Sequence, residues 1–270
     1  MLGAQKPNKK CEKPTLDWER ACLAYNAAAA HGYAAARAQE RGVAHGGIRE
    51  AARLYQLGAG CVDVAFDIVK KQIWGLAPAW PPSSLTPDMS LECLGAMRTL
   101  MLAHAQAAFR AKADAEGLGD ATVSKIGAQA AKLYGEAHTA LAPLRDHLGV
   151  EAGLFQSADH SWLGRLRCTE LHVAAQAEER AARAHATARE YGLQVARLAA
   201  AVSHLSAAVK VAEESSLGGP ERSDLKAELA RVRHAHAEAD RENTTVYVEE
   251  VRPIVLVVRT LGRGARQGAV

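Results

Sequence analysis

From Ile48 to Val69 the apolar and small residues return every three or four positions: Ile48, Ala51, Ala52, Tyr55, Gly58, Ala59, Val62, Ala65, Phe66 and Val69. This period gathers them on one stripe of an α-helix and leaves no alternation that a strand could use. A helix with such a stripe owes its stability to what covers it, so the chain must supply partner helices. It does so repeatedly. The spacing predicts helices from Leu16 to about Glu40, from Ile48 to about Trp74, and from Thr86–Pro87 to about Ala115. In the last of these, Thr86 is the expected cap and Pro87 the first helical residue. Further helices are predicted from Gly119 or Asp120 to about Leu144, and from near Pro220 to about Glu242. Between them, Trp162 to Glu190 and Leu193 to Glu214 read either as two helices or as one bent at Tyr191–Gly192. "RGVAHGG", "GLAPAWPPSSLTPD", "EGLGD" and "ESSLGGPERSD" interrupt these runs with Gly and Pro. The only β-like run is "PIVLVV", in the tail. The expected fold class is therefore all-α, antiparallel helical hairpins joined by short turns, the logic of bundles and helical solenoids.

Charge and motif content then exclude several functions. Net charge is only +3, and acids and bases alternate, as in "AEERAARAHATARE". That is a solvated helix face rather than the basic patch of a nucleic-acid binder. The five cysteines at 11, 22, 61, 93 and 168 are odd in number and form no CxxC, which predicts reduced thiols. No apolar segment follows the charged start "MLGAQKPNKKCEKP", and no run reads as a membrane span. These features together predict a cytoplasmic location. Eleven histidines show no HExxH and no clustered His/Cys spacing; His45, His185, His234 and His236 read as helix-face or turn residues. GxSxG and GxxxxGK[ST] are both absent. No catalytic residue, cofactor, metal or small-molecule substrate is expected, and surface recognition by a helical array remains.

"LMLAHAQAAFRAKA", residues 100–113, does not fit a plain core helix, because Gln106 and Phe109 interrupt its small-residue stripe. With five other stretches it carries a resemblance. "WERACLAYNAAA", "GGIREAARLYQLGAGCVDVA", "LTPDMSLECLGAMRTLMLAHAQAAFRAKA", "VSKIGAQAAKLYGEA", "YGLQVARLAAAVSHL" and "ADRENTTVYVEEV" follow in order from about Cys11 to Val251. In this order the chain resembles the Bro domain family of Alix, PalA and related endosomal proteins. The resemblance implies a curved, banana-shaped array of helical hairpins as the core over residues 15–251, with a lead-in over 1–14 and a divergent tail over 252–270. The small N-terminal β-sheet part usual in that family is expected to be missing from this chain.

The resemblance also implies a function. Family members hold the C-terminal amphipathic helix of an ESCRT-III filament subunit on their concave face, in sorting at endosomes into multivesicular bodies. This predicts a non-enzymatic adaptor, recruited to endosomes and reaching the endosomal membrane surface through its complex. The matching positions are Phe109, Thr122, Val123 and Ile126, with Ile48 and Arg49 at the border. Thr122 stands where the family carries an aliphatic residue, a loss of about 1 kcal/mol of apolar burial. Val123 suits core and groove equally. The alternative is a signalling scaffold of the Rho-binding or ambient-pH-response type using the same domain. Trp18 and Trp162 are expected to be core anchors. Tyr247, four residues after Asn243, is expected at a helix end. Gln106 is expected to make a polar contact within the array.

Overall fold

The computed structural model describes residues 15–43, 45–81, 84–148 and 161–252, the side chains of 144–148 and 161 excepted. Among these residues there are seven α-helices and no strand. They are α1 (Leu16–Glu40), α2 (Gly47–Trp74), α3 (Leu91–Ala115), α4 (Asp120–Leu148), α5 (Ser161–Thr187), α6 (Tyr191–Glu214) and α7 (Gly219–Glu242). A 3₁₀ turn at Pro87–Met89 precedes α3, and a π turn at Asn243–Tyr247 follows α7. Each helix packs chiefly on the one before and the one after it, from α1·α2 through α6·α7. This makes an open, one-dimensional array rather than a closed bundle.

Local chemistry accounts for the ends of the helices. Thr15 caps α1, its hydroxyl accepting from Trp18 N at 3.2 Å. The start of α3 differs from the expectation. Thr86 makes no side-chain cap, and Pro87 opens the 3₁₀ turn instead. Ser90 is the cap, accepting from Cys93 N at 3.1 Å. Serine after Asp88–Met89 offers the short hydroxyl one turn later, which delays the helix to Leu91. At the α1–α2 turn, a side chain on Gly47 would bring its Cβ to 2.2 Å from the Ala38 carbonyl oxygen, so only glycine permits this approach. α4 runs on to Leu148 through Pro143, four residues beyond the expected end. The Tyr191–Gly192 alternative resolves as two helices, with Arg189 at φ 62° in the break. The β-like run at 253–258, the lead-in 1–14 and the tail after Arg252 lie outside the described residues.

Alanine sets how closely the helices pack. On α1 the buried residues are Trp18, Ala21, Ala28, Ala35 and Ala38, a seat that lets α2 approach. Trp18 packs edge-on against Trp80 with ring centroids 5.5 Å apart. Trp162 packs partly buried against the α3–α5 cluster, so both tryptophans act as anchors. One expectation needs correcting: α6 is long and apolar enough to cross a membrane by length and composition. It lies between α5 and α7, however, with Val195, Leu198, Ala201, Leu205, Ala208 and Ala212 in a shared core.

A polar column crosses the first four helices. Tyr55 on α2 donates from its hydroxyl to Gln39 Oε1 on α1 at 3.2 Å. The Tyr55 ring stacks on His104 of α3, with centroids 5.0 Å apart and planes 20° apart. His104 Nδ1 and the Tyr134 hydroxyl of α4 are hydrogen-bonded at 2.9 Å. Burial lowers the His104 pKa to about 4, so the imidazole is neutral at pH 7.

Two outcomes follow. Tyr134→Phe leaves His104 Nδ1 without its partner in a dry site and costs about 1–3 kcal/mol; thermal unfolding by circular dichroism at pH 7 checks this. The imidazole's pKa is depressed on folding, from 6.5 to about 4. Its contribution is therefore complete above pH 6.5 and lost as pH falls toward 4, by up to about 3 kcal/mol. The drop in melting temperature between pH 7 and 4.5 should be smaller in His104→Gln.

Candidate partner-binding surface

The α3–α4 hairpin carries most of the residues singled out in the sequence. Its turn closes with Leu118 N donating to the Ala113 carbonyl at 3.0 Å, and Gly117 adopts φ 71°. Arg180 of α5 then clamps both sides of the turn. It hydrogen-bonds Asp120, at the start of α4, at 2.8 Å, and it also bonds Asp114, at the end of α3. Further along, Gln106 Nε2 donates to the Ile126 carbonyl at 3.5 Å. This is the array contact expected of Gln106, and it fixes the register of the two helices. In an antiparallel pair with Gln106 opposite Ile126, Phe109 comes opposite the first turn of α4, where Thr122 lies.

The side chains divide sharply. Phe109 is 37% exposed, a large aromatic ring left partly in water. Thr122 is exposed and Ile126 half-buried. Val123 is 0% exposed, so it belongs to the core and cannot touch a docked partner; it packs behind the surface that Ile126 borders. Ile48 is also buried, at 9%, in a small cluster with Ala52, Ala108 and the partly buried Ala111. It is thus the seat under the Phe109 stretch of α3 rather than a contact. Arg49, the next residue, is exposed. The N-terminal turn of α2 therefore meets the C-terminal half of α3 and, through Gln106, the first turns of α4.

Sequence reasoning missed the His104 stack and the Arg180 clamp. His104 carried a weak signal, a lone imidazole between buried Ala103 and Ala105. The Arg180–Asp114–Asp120 contact had none, because it joins residues 60 and 66 positions apart. At the far end, Tyr247 lies in the π turn and stacks on Tyr191 with centroids 3.5 Å apart, which fits its expected place at a helix end. Among the described residues no group of three or more His, Cys, Asp or Glu could hold a metal ion.

With this geometry in place, comparison with known proteins decides the family. A family model for the BRO1-like domain matches residues 2–257. The chain is a member of the BRO1-like domain family. The pH-response regulator protein palA/RIM20 of Pyricularia oryzae is 27% identical over 234 residues, 86% of this chain and 25% of its own length. Programmed cell death 6-interacting protein of Homo sapiens is 31% identical over 124 residues, 46% of this chain and 13% of its own. The chain therefore spans about a quarter or less of the curated relatives it matches. Among solved structures, the ALIX BRO1 CHMP4C complex superposes at TM-score 0.67 with 22% identity, over 89% of this chain and 60% of the other. A Bro1 domain studied for endosomal targeting superposes at TM-score 0.70 with 15% identity, over 94% and 62%. At these identities the structural likeness establishes the helical fold and nothing finer.

The Gln106 contact yields its own test. Gln106→Leu removes the bond to the Ile126 carbonyl, and stability should fall by about 1 kcal/mol. Amide hydrogen exchange should rise in the first three turns of α4 and not in α6.

Proposed function

We propose that this chain is a non-enzymatic adaptor of the ESCRT pathway that holds the C-terminal amphipathic helix of an ESCRT-III subunit across α3 and α4. The contact residues are Phe109, Thr122 and Ile126, with Arg49 at the border. Val123 and Ile48 support them from the core. Its place of action is the cytoplasm, with recruitment to endosomes for sorting into multivesicular bodies. The observation that carries this reading is an exposed aromatic ring and a half-buried isoleucine on one rigid hairpin whose register is pinned beneath them. An amphipathic partner presents apolar anchors at i, i+3 or i+4 and i+7, and such anchors suit two or three apolar positions on neighbouring helices. Membership of the BRO1-like family, and the likeness to a BRO1 domain solved in complex with CHMP4C, support that class of partner.

A second reading, a scaffold for a pH-response signal, also has a specific observation in its favour. The palA relatives of Pyricularia oryzae and Neurospora crassa align over 86% and 88% of this chain, a longer span than the interacting-protein relatives give. The two readings use the same surface and differ in what the complex serves.

A synthetic peptide of the CHMP4C C-terminal amphipathic helix, labelled with a fluorophore, tests the surface by anisotropy. Phe109→Asp should weaken binding at least tenfold while leaving the melting temperature within a few degrees, since the ring is already partly in water. Ile126→Asp should do the same or worse. Thr122→Leu, at an exposed position, should tighten binding about fivefold through about 1 kcal/mol of added apolar burial. Unchanged binding in both aspartate variants would remove the surface from consideration.

A further inference from the structure

The end of the α1–α2 hairpin where α2 stops displays apolar side chains that the array does not use. Trp74, the last residue of α2, is 72% exposed, and Leu76 is fully exposed. Ala77, Pro78 and Ala79 are exposed after them, so the segment from Trp74 to Ala79 offers solvent no charge and no polar side chain apart from the indole N–H. Leu16 stands at the same end and is 75% exposed. Gln72 Nε2 donates to Asp17 Oδ2 at 2.6 Å and so ties the start of α1 to the end of α2. Single apolar residues scattered over a surface need no partner, whereas an unbroken exposed run marks a contact. The run is also held outward. Gly75 N donates to the Lys71 carbonyl at 2.8 Å, and Ala79 N and Trp80 N both donate to the Gln72 carbonyl, at 2.9 and 3.2 Å. Trp80 is then buried against Trp18. The loop is thus pinned at both ends, with Leu76 between the pins.

Cations lie one turn behind this tip. Lys70 and Lys71 are exposed on α2, about 5 Å back along the helix from Trp74, and neither forms an ion pair with another described residue. The acids nearby do not cancel them at that level. Asp17 is engaged by Arg20 and Gln72. Asp67 lies about 10 Å behind the tip, and Glu19 on α1 is exposed. The residues before Thr15 add Lys6, Lys9, Lys10 and Lys13 against Glu12, and they lead into α1 at this same end. An apolar tip with cations at its base suits a bilayer interface: Trp and Leu enter the headgroup boundary, and lysine stems lie along it with their ammonium groups at the phosphates. We propose that the Trp74–Ala79 loop, with Leu16, is an insertion site for an anionic membrane surface, and that Lys70 and Lys71 meet its lipid headgroups. A sheet of lipid phosphates gains from every unpaired lysine behind the tip, whereas a protein partner needs a matching acid for each. The site is on α1 and α2, apart from the α3–α4 hairpin, and does not depend on the helix-binding reading of that surface. It gives the chain a membrane contact of its own.

The test is co-sedimentation of the whole chain with vesicles of phosphatidylcholine alone and of an equimolar mixture of phosphatidylcholine and phosphatidylserine. Binding should favour the mixed vesicles and weaken as salt rises. The double variant Trp74→Ser, Leu76→Ser should lower partitioning at least tenfold, and so should Lys70→Glu, Lys71→Glu. Both should leave the melting temperature unchanged, because the four side chains are exposed in the free protein. Tryptophan fluorescence should shift to shorter wavelength on the mixed vesicles and be quenched by brominated acyl chains. Trp74→Phe should remove most of that signal while keeping most of the binding. Phe109→Asp should bind vesicles as the wild type does, so failure of the helix-binding surface is distinguishable from failure of this one. Equal binding by the serine variant would show that charge alone holds the chain to the vesicle, and the insertion site is then overturned. It is overturned equally if the wild type binds no mixed vesicles. Self-association that the serine variant abolishes, without vesicle binding, would make this end an interface between copies instead.

Discussion

The contact between Tyr55, His104 and Tyr134 is the one on which the first half of the array depends. An open array of helices lacks the closure that lets a bundle bury its stripes from all sides, so each helix must be registered against its neighbours by something more specific than alanine. Alanine packs closely but slides easily, because one small side chain fits a seat as well as the next. The stacked and hydrogen-bonded column of Gln39, Tyr55, His104 and Tyr134 offers only one satisfied arrangement. A slip of one residue on any of the four helices would leave a buried donor or acceptor unpaired. The polar groups thus supply the uniqueness that the alanine stripes lack, and the neutral imidazole avoids burying a charge.

Further along, charge takes over this task. Glu179 of α5 is buried and receives both Arg231 nitrogens of α7 at 2.7 Å, with Arg183 one turn away on its own helix. The hydrogen bonds from Arg231 come first among the causes that hold the Glu179 carboxyl below its usual pKa. α5 and α7 share little direct packing, so this fork and the His172–Glu228 pair join them across the edge of α6. At the end of the described chain the same principle closes the backbone: Glu249 accepts from Gly192 N at 2.8 Å, while Asn243 bonds the Glu249 main chain in both directions. These bonds hold the π turn against the start of α6.

How much of this was legible in the sequence follows from which interactions are local. Helical period and Gly/Pro breaks are local, and the helices fall where Ile48–Val69 and the other runs place them. Capping is also local, yet Thr86–Pro87 reads as a helix start where the structure has a 3₁₀ turn and caps the α-helix with Ser90; three residues of 3₁₀ turn are too short to leave a period. The site is less legible. The family resemblance points to Phe109, Thr122 and Ile126, which the fold brings onto one hairpin. It could not separate Val123 from them, because residues adjacent on a helix differ by 100° in direction and only packing against α3 and α5 decides which one is inward. Long-range pairs such as Arg180 with Asp114 and Asp120 leave no trace in periodicity at all.

The same long-range pairs bear on how such a surface could bind. Phe109, Thr122 and Ile126 sit on helices of 25 and 29 residues, not on loops. Behind Ile126 lie its own carbonyl's bond to Gln106 and the fully buried Val123; beneath the Phe109 stretch lies the Ile48–Ala108 seat. An incoming helix therefore has little to order on this side, and the cost of association falls mainly on the partner. On a preorganised surface with so few apolar anchors, small changes in each anchor carry through directly to affinity. A threonine where an aliphatic residue would bury more area weakens the apolar term.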